Sequence, residues 1–465
     1  MPRRNALLVL TAAAVLHVTP AATAQTPSDI RDDRYQFAAG QSVEVFVSVE
    51  RTPEGVLFTW PATSARSQDA TKARSHERWD TALLAVRSAG ADSRPWVEIE
   101  VGPARIEHHL DPGAFGLRWL NLSSLRAHLS EGVPVRIRTH AVTIQPGPAA
   151  LRLFANELDL DETILVLAPH PDDAEIAAFG LYADRKATIV TITSGNAGDF
   201  NYRANVSDPA EHYLLKGYLR AVDSVTVPWQ GGIPPERCFN LGYFDARLAT
   251  MRATPDEPVS EMYGPNQDVL PYRRANIGTL LDIESRTATW NHLVEDLVDV
   301  FRKVRPDVVV MPHPSLDTHL DHQYTSVAAV QALDKWDGKP AFLLYTNHAS
   351  ENLYPFGPAG TAMSLPPWHA SDLVLERVYS HPVSPVLQRR KLFALESMHD
   401  LRLSPEEQNT CDLPGVKRRA DFPRGPDVHY FRRGPRSEEL FFVFGRDGVR
   451  EIVRTFLTTI PDSRF

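Results

Sequence analysis

The segment Ile164–Gly180, reading ILVLAPHPDDAEIAAFG, constrains this chain more than any other. Five apolar residues, Ile164 to Ala168, run into a polar corner, Pro169-His170-Pro171-Asp172-Asp173, and the corner opens a helix-like stretch. An unbroken apolar run of that length marks a strand buried on both faces, as in a parallel sheet covered by helices. His170 and Asp173 are three residues apart, a spacing that lets two side chains share a face and converge. An imidazole and a carboxylate so placed are two of the three protein ligands that an open zinc site needs. The same residues also have a purely structural reading. Asp172 three residues before Glu175 is a capping-box-like pair, and acids suit a helix N-terminus.

A third ligand elsewhere in the chain decides between the two readings. Val308–Met311 is a second buried-type strand, and it runs into Pro312-His313-Pro314-Ser315-Leu316-Asp317-Thr318-His319-Leu320-Asp321-His322, followed by another helix-like stretch. Two strands of one parallel sheet thus deliver His and Asp to their carboxyl ends, where crossover loops build a crevice. Neighbouring residues at a helix start point about 100° apart. Asp172 and Asp173 therefore cannot meet one ion in the same way: one can ligate while the other faces an ion-activated water as general base. An imidazolium such as His319 would stabilise the oxyanion formed on an attacked carbonyl, and Asp321, close to both histidines, can hold an imidazole in one tautomer.

These residues resemble the PIG-L/LmbE-like zinc-dependent deacetylases, which remove acetyl groups from N-acetylglucosamine-type sugars. The likeness rests on His170-Pro171-Asp172-Asp173-Ala174-Glu175-Ile176 and His319-Leu320-Asp321-His322, with weaker echoes at Gly242-Tyr243-Phe244-Asp245 and Arg390-Lys391-Leu392-Phe393-Ala394 leading to His399. It covers about Glu162 to Asp400. The resemblance implies His170, Asp173 and His322 as ligands of one Zn2+ or another divalent ion, and Asp172 as base. It further implies His319 as oxyanion stabiliser and proton donor, Asp321 as the residue orienting it, and Asp245 and His399 as substrate contacts. Leu320 stands where proline is common, and the Arg/Glu helix usual after the second strand is not cleanly matched near Glu211 to Asp223. Other readings of the corners are a metal-dependent amidase on another acylated amine, or a non-catalytic exported sugar-binding protein. No GxGxxG turn follows the first strand, which argues against a dinucleotide oxidoreductase.

The rest of the chain is organised around that region. From about Gln41 to Phe154 apolar residues alternate, as in Val43-Val45-Val47-Val49 and Val97-Ile99-Val101, between Pro- and Gly-rich turns. This predicts an all-β, jelly-roll-like sandwich, with Trp60, Trp79, Trp96 and Trp119 mostly in its core. From about Glu157 apolar strands alternate with helical patterns, predicting an α/β Rossmann-like parallel-sheet domain. The expected boundaries are a signal peptide over 1–24, the sandwich over 28–156, the α/β domain over 160–402 and a C-terminal extension over 403–465. The signal is read from Arg3-Arg4, the apolar run Ala6–Val18 and Ala22-Thr23-Ala24, and predicts an exported protein, periplasmic or extracellular, without stable membrane insertion. A formal net charge of −9 argues against nucleic acid as partner. Cys238 and Cys411 are too few for a disulfide framework. The run between Phe244 and Arg286 has few periodic apolar positions and reads as a lid or a disordered insertion.

Overall fold

The computed structural model describes residues 32–62, 79–156, 158, 162–401 and 430–459. The signal expected at 1–24 and Cys411 lie outside the described residues. The alternating region forms β1 (Tyr35–Phe37), β2 (Val43–Thr52), β3 (Gly55–Thr59), β4 (Thr81–Val101), β5 (Ala104–His109), β6 (Gly116–Asn121), β7 (Pro134–Ile144) and β8 (Gly147–Phe154). β4 pairs with β7, β7 with β3, β3 with β2, β2 with β8, and β8 returns to β4, all antiparallel. The expected sandwich is therefore a single sheet closed into a barrel, with β5 and β6 added along β4.

The cause is β4, which is 21 residues long. Its start, Thr81–Leu84, pairs with β8, and its end, Trp96–Val101, pairs with β7; register shifts between Ser88 and Gly90 and between Ala91 and Trp96 separate them. Such irregularities bend a strand, and closure leaves fewer open edges. The alternation at Val97-Ile99-Val101 shows which face is buried but not that the strand continues back to Thr81. Val97, Ile99, Val135, Ile137 and Leu151 fill the barrel, with Trp60 and Trp79 packed ring to ring at 5.4 Å. Trp119 is buried against the second sheet, and Trp96, half-buried, stacks on His140 at 3.7 Å.

The second sheet contains β9 (Ile164–Ala168), β10 (Ala187–Thr193), β11 (Cys238–Tyr243), β12 (Val308–Pro312), β13 (Ala341–Tyr345), β15 (Arg377–Pro382) and β16 (Glu438–Phe444); β14 (Leu373–Leu375) pairs with β1 instead. Its order is β11-β10-β9-β12-β13-β16-β15. The first five strands are parallel, while β16 runs antiparallel to both β13 and β15. Residues 438–444, from beyond the boundary drawn at 402, are thus built into this sheet.

Alternate residues of β9 face opposite layers. Leu165 and Leu167 join the helices α3 (Trp290–Val304) and α4 (Leu320–Leu333), whereas Ile164 and Val166 join α1 (Asp173–Ala183). That two-sided burial is why the strand reads as a continuous apolar run. Three further helices are α2 (Pro209–Thr226), α5 (Pro385–Ser397) and α6 (Arg446–Thr459). Strand order reverses between β9 and β12, and in such sheets the crevice at the carboxyl ends of the two strands is the ligand site. Both His/Asp corners open there. Among the described residues no helix is long and apolar enough to cross a membrane.

Candidate metal centre

At the end of β9 the chain turns sharply, and the His170 backbone N–H donates to Asp173 Oδ2 at 2.8 Å. This local bond sets the carboxylate beside the His170 ring, whose Nδ1 lies 3.2 Å from the same oxygen. At the end of β12 the corner is closed by Asp317, which accepts from the His319 N–H at 3.0 Å and holds His322 Nδ1 at 3.0 Å. His322 therefore presents Nε2 across the crevice, 3.1 Å from Asp173 Oδ2 and 3.3 Å from His170 Nδ1.

These three atoms form a near-equilateral triangle. Zinc bonds of about 2.0–2.2 Å in a tetrahedron require ligand-to-ligand edges of about 3.3–3.6 Å, and the three edges here lie at or just under the short end of that range, so the donor set fits such an ion with a small outward shift. Electrostatics fit as well. Burial would lower the His322 pKa, but Asp173 and Asp317 push it up to about 10. Burial acts the same way on His170, and Asp245 and Asp173 raise it well above the ordinary imidazole value. A buried pocket that draws protons onto two imidazoles is one that calls for positive charge. The wider cluster offers three overlapping donor groups: His170 with His319 and His322, Asp173 with His322 and His348, and His170 with Asp245 and Asp321.

The family model PIG-L, described as GlcNAc-PI de-N-acetylase, matches residues 165–333. That segment is a PIG-L family domain. No curated protein matches the chain. Among solved structures, GalB, the 4-carboxy-2-hydroxymuconate hydratase from Pseudomonas putida KT2440, is 14% identical over 51% of this chain and 79% of that one, with a TM-score of 0.26. The acetyl xylan esterase Est2A from the rumen bacterium Butyrivibrio proteoclasticus is 11% identical over 69% of this chain and 87% of that one, with a TM-score of 0.18. Overlaps this loose bear on neither fold nor function.

Within the PIG-L domain the capping reading of Asp172 fails. Asp172 is the N-cap residue of α1 but makes no side-chain cap bond, and Glu175 turns inward to accept from the Tyr182 hydroxyl at 3.0 Å. The Asp172 carboxylate instead lies 3.3 Å from Arg220 on α2. Burial raises its pKa, Arg220 lowers it and Asp173 raises it, leaving it at about 6. His319 differs from the expected imidazolium. Burial together with His170 and His322 holds it down to about 4, and its Nδ1 accepts the Asp321 N–H at 3.2 Å. Neutral at pH 7, it carries its proton on Nε2.

The side chain of Asp321 reaches His170 rather than His319. Its Oδ2 lies 3.2 Å from His170 Nε2, and its two oxygens accept the Ala246 and Leu248 N–H groups. Asp245 sits beside it, also 3.2 Å from His170 Nε2. His399 belongs to none of these donor groups: its ring and N–H both bind Asp223 on α2, each at 2.8 Å. Its neighbour Asp400 pairs with Lys216 at 3.1 Å and Arg220 at 3.5 Å. His313 also leaves the cluster, its Nδ1 accepting the Ser315 and Leu316 N–H groups.

Four participants were not singled out from sequence. Asp317 stands five residues before His322 in the quoted corner. Asn347, whose amide donates to Asp173 Oδ1 at 2.8 Å, and His348, 4.7 Å ring to ring from His322, follow the apolar run of β13. Arg220 lies four residues after Lys216 on one face of α2. For Asp317, Asn347 and His348 the usable signal is that every parallel strand delivers its following loop to the same edge; Arg220, inside α2, carries no such mark. The stretch expected as a lid or a disordered insertion is tied down, since Glu261 accepts from Asn196 and Tyr272, and Asn196 in turn holds the Asp245 N–H at 3.0 Å.

Proposed function

We propose that this chain is an exported, zinc-dependent N-deacetylase on a Rossmann-like scaffold, hydrolysing the N-acetyl group of an N-acetylglucosamine-type sugar or glycoconjugate to free amine and acetate. The observation that carries the reading is the triangle of His170 Nδ1, Asp173 Oδ2 and His322 Nε2, with edges of 3.1–3.3 Å beside a carboxylate that neither caps nor joins it. The family's description as a de-N-acetylase supports the acyl chemistry. His170, Asp173 and His322 would hold the ion, which when bound would activate a water and polarise an amide carbonyl.

The chain's own residues supply the remaining steps. Asp172, at about 6, is ionised at neutral pH yet basic enough to take the proton of the attacking water. Arg220 fixes that carboxylate in place. His319 donates a hydrogen bond from Nε2 to the oxygen on which charge builds. A neutral His319 has no second proton to give, so the proton for the leaving amine returns from Asp172. Asp245 and Asp321 hold His170, and Asp317 holds His322, each fixing the tautomer that leaves the inward nitrogen free to ligate.

The test is acetate release from a panel of N-acetylated glycans, envelope fragments and acylated natural products, before and after chelation. Release that stops with chelator and returns with zinc is expected. No release from any member by the zinc-loaded protein would overturn the reading.

A further inference from the structure

We infer that Lys391 and Glu439 are a positioning pair that sets the turn carrying Asp172 and Asp173; this rests on the metal-site reading above. Helix α1 is not continuous. Ala178 has φ −140° and ψ 18°, which breaks the helix five residues after Asp173. In an unbroken helix the Gly180 N–H would bond the Ile176 carbonyl. Here the Gly180 and Leu181 N–H groups donate to the two oxygens of Glu439, each at 2.9 Å. The Ile176 carbonyl accepts from Lys391 Nζ at 2.8 Å, and the same ammonium donates to Glu439 at 2.8 Å. A charged bridge thus stands at the break, holding the Ile176 carbonyl on one side and the Gly180 and Leu181 N–H groups on the other.

Both partners are buried, Lys391 at 1% and Glu439 at 3% exposure, and they come from α5 and β16, outside the residues matched by the family model. On the corner side of the break lies one turn, closed by the Ile176 N–H on the Asp172 carbonyl at 2.9 Å. Lys391 grips the end of that turn through the Ile176 carbonyl. Glu439 grips the following segment, where a Cβ on Gly180 would come within 2.7 Å of the Val383 side chain. The pair therefore fixes the one turn that presents Asp173 to the two histidines and Asp172 to the crevice. Burying two charges is a poor route to stability alone, but it specifies one arrangement of the groups they bind.

In the full-length chain, Lys391→Met should weaken zinc binding about tenfold in chelator competition and lower kcat about 10- to 100-fold with KM unchanged, as loss of a support behind metal ligands does. The exchange Lys391→Glu with Glu439→Lys keeps opposite charges but sets a donor against two N–H groups and an acceptor against a carbonyl. It should restore neither zinc affinity nor kcat, and recovery would reduce the pair to an ordinary ion pair and overturn the proposal. Unchanged zinc affinity in folded Lys391→Met protein would overturn it too. Should that variant not fold, the unaltered protein decides, because coupling between sites is reciprocal: zinc must slow hydrogen exchange at the Gly180 and Leu181 amides, and unchanged exchange refutes the proposal. Zinc affinity is read without substrate. A protein whose zinc affinity depends on this pair yet which releases no acetate would sink the function proposed above and leave the pair standing.

Discussion

The β9 and β12 corners deliver the same residue types from adjacent strands, but they are held in different ways. At the β12 corner the support is local. Asp317, five residues before His322, holds that ring and also accepts the N–H groups of His319, Asn347 and His348. At the β9 corner the support is remote. His170 is steadied by Asp245 from the loop after β11 and by Asp321 from the start of α4, while Asp172 is held by Arg220 on α2. The ring of His322 is held from within its own corner, whereas His170 and Asp172 take their further partners from other elements.

The largest effect comes from removing a member of the triangle itself. His170→Ala and His322→Ala should each lose stoichiometric zinc by elemental analysis and fall to background activity, whichever corner is cut. Retention of zinc by either variant would show that the triangle is not the ion site. Next in size, Asp172→Asn should keep its zinc while kcat drops about 10²- to 10⁴-fold, the usual worth of a positioned base. Turnover unchanged in that variant removes the base assignment.

The contrast between corners is sharpened by their supports. Asp317→Asn should cost about 10- to 100-fold in zinc affinity. Asp245→Asn should cost less, because Asp321 still accepts from His170 Nε2. Equal losses, measured by chelator competition, would mean that the two corners are held alike.

The smallest effect is a shift in pH dependence. Asp172 acts deprotonated, so kcat/KM should fall as pH drops through about 6. Arg220 stabilises the ionised form; its loss raises the Asp172 pKa, and Arg220→Gln should move the acid limb to higher pH. A limb that stays in place in the pH–rate profile would exclude Arg220 as the group that sets it.

Much of this arrangement is legible in the sequence. His170 and Asp173 stand out because they lie 2 and 5 residues after the apolar run of β9, and His322 because it stands in the first turn of the helix that follows the β12 corner. Asp317 was in plain view but carried no mark separating it from Asp321. Arg220 is harder, since nothing near it in the chain says which strand or loop it will face. The capping-box alternative for Asp172 and Glu175 has the right local spacing, yet the two side chains turn to Arg220 and Tyr182 instead.

Sequence alone determined the two-sided burial of β9 and β12, the composition of both corners and the inward faces of the barrel strands, because periodicity reports how each short segment meets solvent. Tertiary structure alone decided that β4 bends far enough to close the barrel, that Asp321 serves His170 rather than the adjacent His319, and that β16 brings Glu439 into the break in α1. The physical reason is the same in each case. A hydrogen bond between elements is chosen by strand order and helix placement, and neither is written in the spacing of the residues that make it.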